Sequence, residues 1–408
     1  MPILFQLNTV CNSGSTGRIA EQIGALALQR GWKSYIAYGH GKPKSQSILY
    51  KVTTETEFYL NTAIARLIDN DGFCLGNNTQ RLVAYIKVIK PDVIQLHNLH
   101  GFYLNIDVLF AYLATLEIPI FWTLHDCWSF TGHCPHFQFV GCNKWLTQCH
   151  HCPNKTAYPS SWGLDRSRPH FNLKKKRFTS LHKLTLITPS QWLAALVKKS
   201  YLKGYPVAVI NNGVDLNTFY PRETTKIRAK YGLEGKKILL GVAAAWTERK
   251  GFRYLLEISK HYTESCKMVL VGLTPVQKKR LPADICGIER TESVDELAEF
   301  YTLADIYLNP TLEDTFPTTN LEALACGTPV VTFNTGGSGE ALDLEEQCGK
   351  VIEQRDLPAF YQAIDAVLQG DRARYKSLCI ERATTHFQAS SCFATYLETY
   401  SQALLLNK

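Results

Sequence analysis

The stretch that most constrains this chain is residues 309–331, Asn-Pro-Thr-Leu-Glu-Asp-Thr-Phe-Pro-Thr-Thr-Asn-Leu-Glu-Ala-Leu-Ala-Cys-Gly-Thr-Pro-Val-Val. Its residue types predict a strand, a tight loop, a helix, a turn and a second strand. The apolar run 306–308 ends at Pro310, which cannot extend a ladder, and Pro317 presets the backbone of a first helical turn, so the helix should start near Thr318. A helix start presents unpaired N–H groups, joined here by the hydroxyls of Thr318 and Thr319, and suits a diphosphate. Glu322, one turn deeper, can accept two ribose hydroxyls, with Asp314 at the other end of the same ligand. Taken singly, Asp314 reads as a turn residue and Glu322 as a solvated helix residue. Together, two carboxylates flanking a phosphate-binding helix end point to a sugar nucleotide.

The whole string resembles the donor-binding motif of family 4 glycosyltransferases, which are retaining enzymes of the GT-B fold. That motif has an acid, seven residues, then Glu-Ala, a small residue, Cys or Ala, Gly, any residue and Pro-Val-Val. Asp314 replaces the usual first Glu, and Thr-Phe-Pro at 315–317 replaces Gly-Phe-Gly, a form resembling the colanic-acid and capsular-polysaccharide transferases.

A length of 408 residues suits two domains of roughly 200 each. No apolar run is long enough to span a bilayer, and the N-terminus reads as a first strand, not a signal peptide, so a cytoplasmic location is expected. Thirteen cysteines without an export signal argue against a disulfide framework. The net charge of +8 is unevenly spread, and no nucleic-acid-binding signature accompanies it, so no nucleic acid partner is expected.

Strands alternate with helical patterns through the first half, which predicts a doubly wound parallel α/β sheet with ligands off its C-terminal strand ends. His97 and His125 both fall at such ends. His97 reads as a satisfied core or loop histidine. Thr123-Leu124-His125-Asp126 resembles the family's acceptor-domain motif, whose histidine reaches toward the donor sugar. After the first strand, Gly14 and Gly17 lie in a glycine-bearing turn without dinucleotide spacing. It resembles the family's loop facing the donor phosphates.

Residues 127–157 read as an insertion rich in Cys, His and aromatics. The Cys149-x-x-Cys152 knuckle has the pairing geometry of a zinc site, and Cys134 and Cys142 complete a candidate structural zinc. Between Gly163 and Gly204 ten basic residues face one acid, Asp165. The run 174–177 is the expected docking face for an anionic membrane surface, against the plainer reading of a solvated face.

In the second half, Lys250-Gly251 matches the family's Lys-Gly, where the Lys clamps the diphosphate, but Ala245 stands in place of the family's Arg. Arg249 is the neighbouring cation. Gly336 and Gly337 resemble the family's Gly-Gly-x-x-Glu, a turn whose N–H groups suit donor oxygens. Aromatics at 387, 393, 396 and 400 recur at helical spacing and read as core anchors.

The resemblance implies two Rossmann-like domains facing across a cleft. These are an acceptor domain over 1–205, a donor domain over 206–385 and a last helix, 386–408, crossing back to the first. It implies sugar transfer from a nucleotide-sugar donor to an oligosaccharide acceptor, lipid-linked, in surface polysaccharide synthesis, with no cofactor required for catalysis. His125, Lys250, Asp314 and Glu322 carry the catalytic roles. Gly14, Gly17, Arg249, Phe316, Thr318, Thr319, Gly336 and Gly337 line the donor. The rival readings are a GT-B nucleotide-sugar 2-epimerase and, from the lost Arg, a sugar-nucleotide-binding pseudoenzyme.

Overall fold

A computed structural model describes residues 1–264, 266–342, 345 and 347–406. The chain forms two compact units, Met1–Ile210 with Phe393–Lys408, and Asn211–Cys392. Both divisions fall later in the chain than 205 and 385.

Among the described residues, the first unit holds a seven-stranded parallel sheet in the order β3-β2-β1-β4-β5-β6-β7. These strands are β1 (Ile3–Asn8), β2 (Lys33–Tyr38), β3 (Ile48–Lys51), β4 (Val93–Leu96), β5 (Ile120–Thr123), β6 (Leu184–Thr188) and β7 (Val207–Val209). The order reverses between β1 and β4, so a crevice opens beyond Asn8 and Leu96, the usual ligand position in such sheets. β4 is buried along its length, and its one polar side chain, Gln95, needs partners inside the core. It receives the Tyr400 hydroxyl at 2.6 Å and donates to Thr123 at 2.9 Å. Tyr400 belongs to the helix Ala389–Leu406, and its ring packs 4.8 Å from Phe121.

The insertion has only two short 3₁₀ turns, Trp128–Phe130 and Lys144–Leu146. Its centre is aromatic. Trp145 packs against Phe130 and Phe137 with centroids at 5.3 and 4.9 Å.

The basic run 174–177 does not present its four charges on one face. It lies on the helix Ser167–Phe178, whose period turns Lys174 inward with Phe171 and Phe178 while Lys175 and Lys176 face solvent. Lys174 is 1% exposed and donates to the carbonyl oxygens of Trp128 (3.0 Å) and Thr131 (3.3 Å). Its ammonium sits 3.3 Å from the Trp128 ring centroid, and burial pushes its pKa down to about 7. Arg177 pairs with Asp107.

In the second unit, six described strands form a parallel sheet in the order β10-β9-β8-β11-β12-β13. They are β8 (Lys237–Val242), β9 (Cys266–Val271), β10 (Ile285–Ile288), β11 (Ile306–Asn309), β12 (Val330–Phe333) and β13 (Gly349–Ile352). The reversal lies between β8 and β11, so the loop carrying Lys250 and the loop carrying Asp314 leave the sheet side by side. Among the described residues no helix is long and apolar enough to cross a membrane.

Candidate active site

In the second unit the expected strand, loop and helix are present. β11 ends at Asn309, and the helix Thr318–Ala325 starts directly after Pro317 with no side-chain cap. Its first N–H groups therefore keep their anion-binding capacity. Thr318 and Thr319 are half-buried at this end, and Glu322 is half-buried one turn in.

Lys250 closes a short 3₁₀ turn, Glu248–Lys250, and forms an ion pair with Asp314. Gly251 makes the approach feasible. It adopts φ 76°, and a Cβ there would lie 2.0 Å from the Pro310 carbonyl oxygen. Arg249 braces the same loop, donating to the Glu313 carbonyl oxygen at 2.8 Å and accepting from Leu312 N–H at 2.8 Å. Glu322 accepts from the Tyr301 hydroxyl at 2.8 Å. Tyr301 is buried, and burial, reinforced by the Glu322 charge, pushes its phenol well up and keeps it a donor.

Two of the residues expected to line the donor have partners within the fold. The Gly337 N–H donates to the Asp314 carbonyl oxygen at 3.0 Å and so holds the Asp314 loop. Phe316 is buried in the hydrophobic core, 5.8 Å from the Phe387 ring, so its side chain anchors the loop from beneath. A buried network supports both. Asn309 donates to Asn320 (2.8 Å), Asn320 to the Ser338 carbonyl oxygen (2.9 Å), and Thr335 to that of Thr311 (2.8 Å).

In the first unit, His125 follows β5 and its Nε2 lies 3.1 Å from Nδ1 of the buried His97. His97 Nε2 lies 3.1 Å from Gln6 Oε1, and Gln6 donates its amide to the Ala20 carbonyl oxygen at 2.9 Å. Burial pushes His125 down to about 4, against the pull of Asp126, and pushes His97 well below the usual range. Asp126 lies 2.8 Å from His100 Nε2, and that partner outweighs burial to hold the carboxyl down to about 2. At the other glycine turn, Gly14 opens the helix Gly14–Gln29 at φ 61°, and the Gly17 carbonyl oxygen accepts from Asn12 N–H at 2.9 Å.

The four cysteines gather around one cavity of about 10 Å³. Cys134 and Cys152 hydrogen-bond to each other, which holds the Cys152 thiol down to about 7 and the Cys134 thiol up. Burial pushes Cys149 up to about 11. Among the described residues no group of three or more His, Cys, Asp or Glu is placed to hold a metal ion. The aromatic cluster and the hydrogen bonds of Lys174 tie the loop together.

A profile described as Glycosyltransferase Family 4 matches residues 29–218, and one described as Glycosyl transferases group 1 matches residues 236–370. The chain belongs to the family 4 glycosyltransferases. A curated relative of this family 4 chain is the putative colanic acid biosynthesis glycosyl transferase WcaC of Escherichia coli K12. The two are 30% identical over 229 residues, which is 53% of this chain and 55% of WcaC. The chain spans about half the length of the curated relatives it matches first. The glycosyltransferase from Rickettsia africae ESF-5 shares the fold at a TM-score of 0.71, with 16% identity and 99% and 98% of the two chains covered. Anabaena HepE, crystallised with UDP-glucose, shares it at 0.68, with 15% identity and 98% and 99% covered.

In the second unit of the family 4 chain the structure brings Lys250, Asp314, Arg249, Gly336 and Gly337 together, with Thr318, Thr319 and Glu322 on the helix that follows. His125, Gly14 and Gly17 lie at strand ends of the other sheet. Tyr301, Gln6 and the contact of His97 with His125 were not read from the sequence. Each joins residues far apart in the chain, and no local spacing signals such a pairing.

Proposed function

We propose that this protein transfers a sugar from a nucleotide-sugar donor to a lipid-linked oligosaccharide acceptor in surface polysaccharide synthesis, retaining anomeric configuration without a metal. The observation that carries this reading is the Lys250–Asp314 ion pair in the loops that lead to an uncapped helix start, with Glu322 one turn in. Lys250 and the N–H groups of that helix neutralise the leaving diphosphate as charge develops on it. Glu322, aimed by Tyr301, accepts the ribose hydroxyls, and Asp314 accepts those of the transferred sugar. His125 accepts from a sugar hydroxyl through its second ring nitrogen. The UDP-glucose bound by HepE and the naming of WcaC for colanic acid biosynthesis support the donor class and the pathway type.

A thermal-shift panel of UDP-, GDP- and ADP-sugars tests the donor, since a ligand at about a hundred times its Kd adds about 2.7 kcal/mol. Lys250→Ala and Glu322→Ala should each lose on the order of 10²-fold in transfer while staying folded. Full activity in both variants overturns the assignment, a requirement for added Mg²⁺ overturns the metal-free mechanism, and epimerised donor without acceptor supports the 2-epimerase instead.

A further inference from the structure

The helix Glu55–Ile68 is amphipathic with its apolar face outward. Only Asn61 and Ala65 are fully buried on its inner side. Tyr59, Leu60, Ile64, Leu67 and Ile68 recur at steps of one, three and four residues and are all exposed, Tyr59 at 68% and Leu67 at 58%. A helix that served only the fold would carry this stripe toward the sheet.

A second segment extends the surface. Trp162 N–H donates to the Arg66 carbonyl oxygen at 2.7 Å and Leu164 N–H to that of Leu67 at 3.3 Å, so this loop is fastened to the C-terminal turns of the helix. Trp162 is 65% exposed, and the Arg66 guanidinium lies 5.3 Å from its ring centroid. Such contiguous apolar exposure marks an interaction surface.

The charges at this end select the partner. Lys155 donates to the Gly163 carbonyl oxygen at 2.8 Å, and Arg166 reaches the side chain of Asn70 at 3.3 Å, which places one cation on the Trp162 loop and one just past the C-terminal end of the helix. The nearby acids are turned inward. Asp69 is buried against His133 at 2.6 Å, and Asp165 accepts from the backbone N–H groups of Cys152 and Ser167. Aromatic and branched apolar side chains flanked by cations, on a helix whose polar side faces its own domain, suit the headgroup region of an anionic bilayer.

We infer that the helix Glu55–Ile68 and the Trp162 loop dock the first unit on an anionic membrane surface. The inference rests on the proposed function only in that a lipid-linked acceptor gives the docking a purpose. The surface differs from the basic run 174–177, in which Lys174 is buried and Arg177 is paired with Asp107.

The test is co-sedimentation with vesicles of phosphatidylglycerol and phosphatidylcholine, without donor or acceptor, so a failure of glycosyl transfer leaves its result unaffected. The wild-type chain should pellet with these vesicles, less with phosphatidylcholine alone, and lose binding in high salt. Leu67→Ser with Trp162→Ser should lower partitioning about tenfold or more, and Arg66→Gln with Lys155→Gln should lower it on the order of tenfold. Lys175→Gln with Lys176→Gln should leave it unchanged. These side chains are outside the core, and thermal melts confirm that each variant is folded. Wild-type chain remaining in the supernatant, or unchanged partitioning of the Leu67/Trp162 variant, overturns the inference. So does a solution dimer that the same variant dissociates, because the face then belongs to a second copy.

Discussion

His97 Nδ1 lies 3.1 Å from His125 Nε2, and the direction of that hydrogen bond is set by a third residue. Gln6 gives its amide N–H to Ala20 and turns its oxygen to His97, and an amide oxygen only accepts. His97 therefore carries its proton on Nε2 and accepts at Nδ1, so an uncharged His125 donates from Nε2 and presents a bare Nδ1. Nitrogen-15 NMR should find His97 and His125 both in the Nε2–H form. Gln6→Leu should mix these tautomers and cost about 1–3 kcal/mol of stability for the orphaned partners. Unmixed tautomers in Gln6→Leu would show that Gln6 sets nothing.

Stability should fall on acidification through the lower histidine range. The folded chain resists protonating His125 until about pH 4 and His170 until about pH 3, chiefly through burial, whereas the unfolded chain takes up both protons near pH 6.5. The unfolded state thus binds more protons in that window, and stability drops as pH falls through it. His100 and His133 act in the opposite sense, because Asp126 and Asp69 outweigh burial to hold them up. His170 stacks on Phe73 at 4.2 Å, so His170→Phe keeps the packing and should narrow the Tm difference between about pH 7 and about pH 4.

Tyr301→Phe removes the hydroxyl that holds Glu322 at 2.8 Å and leaves the ring in the core. A hydrogen bond to a charged group contributes about 1.5–3 kcal/mol, so calorimetry should find nucleotide binding about tenfold weaker or more. Unchanged affinity would detach Glu322 from the ribose.

Gly336 allows the turn after β12 to touch the Asp314 loop. Its φ is 57°, and a Cβ there would lie 1.8 Å from the Asp314 carbonyl oxygen. Gly336→Ala should destabilise the protein by about 2 kcal/mol or more and weaken donor binding with it, as read from urea melts and a thermal-shift titration.

Lys174→Ala should loosen the insertion, since it removes two hydrogen bonds to carbonyl oxygens and the contact with Trp128. A cost of about 2–4 kcal/mol is expected. Hydrogen exchange should rise within 127–157 while the second unit stays protected.

The sequence by itself determined what depends on neighbours along the chain. Proline placement, the alternation of strand and helix, and the residues 309–331 specify the strand, loop and helix of the second unit and the helix start at Thr318, because backbone limits and helix ends act within a few residues. Tertiary structure decided what depends on facing. Helical period turned Lys174 inward and the stripe from Tyr59 to Ile68 outward, although the sequence offered the first as the charged surface. It also decided which groups satisfy one another across long separations, Tyr301 with Glu322, Gly337 with Asp314, and Gln6 with His97. A buried polar group must be paired, but the residue that pairs it is fixed only when the core closes around both.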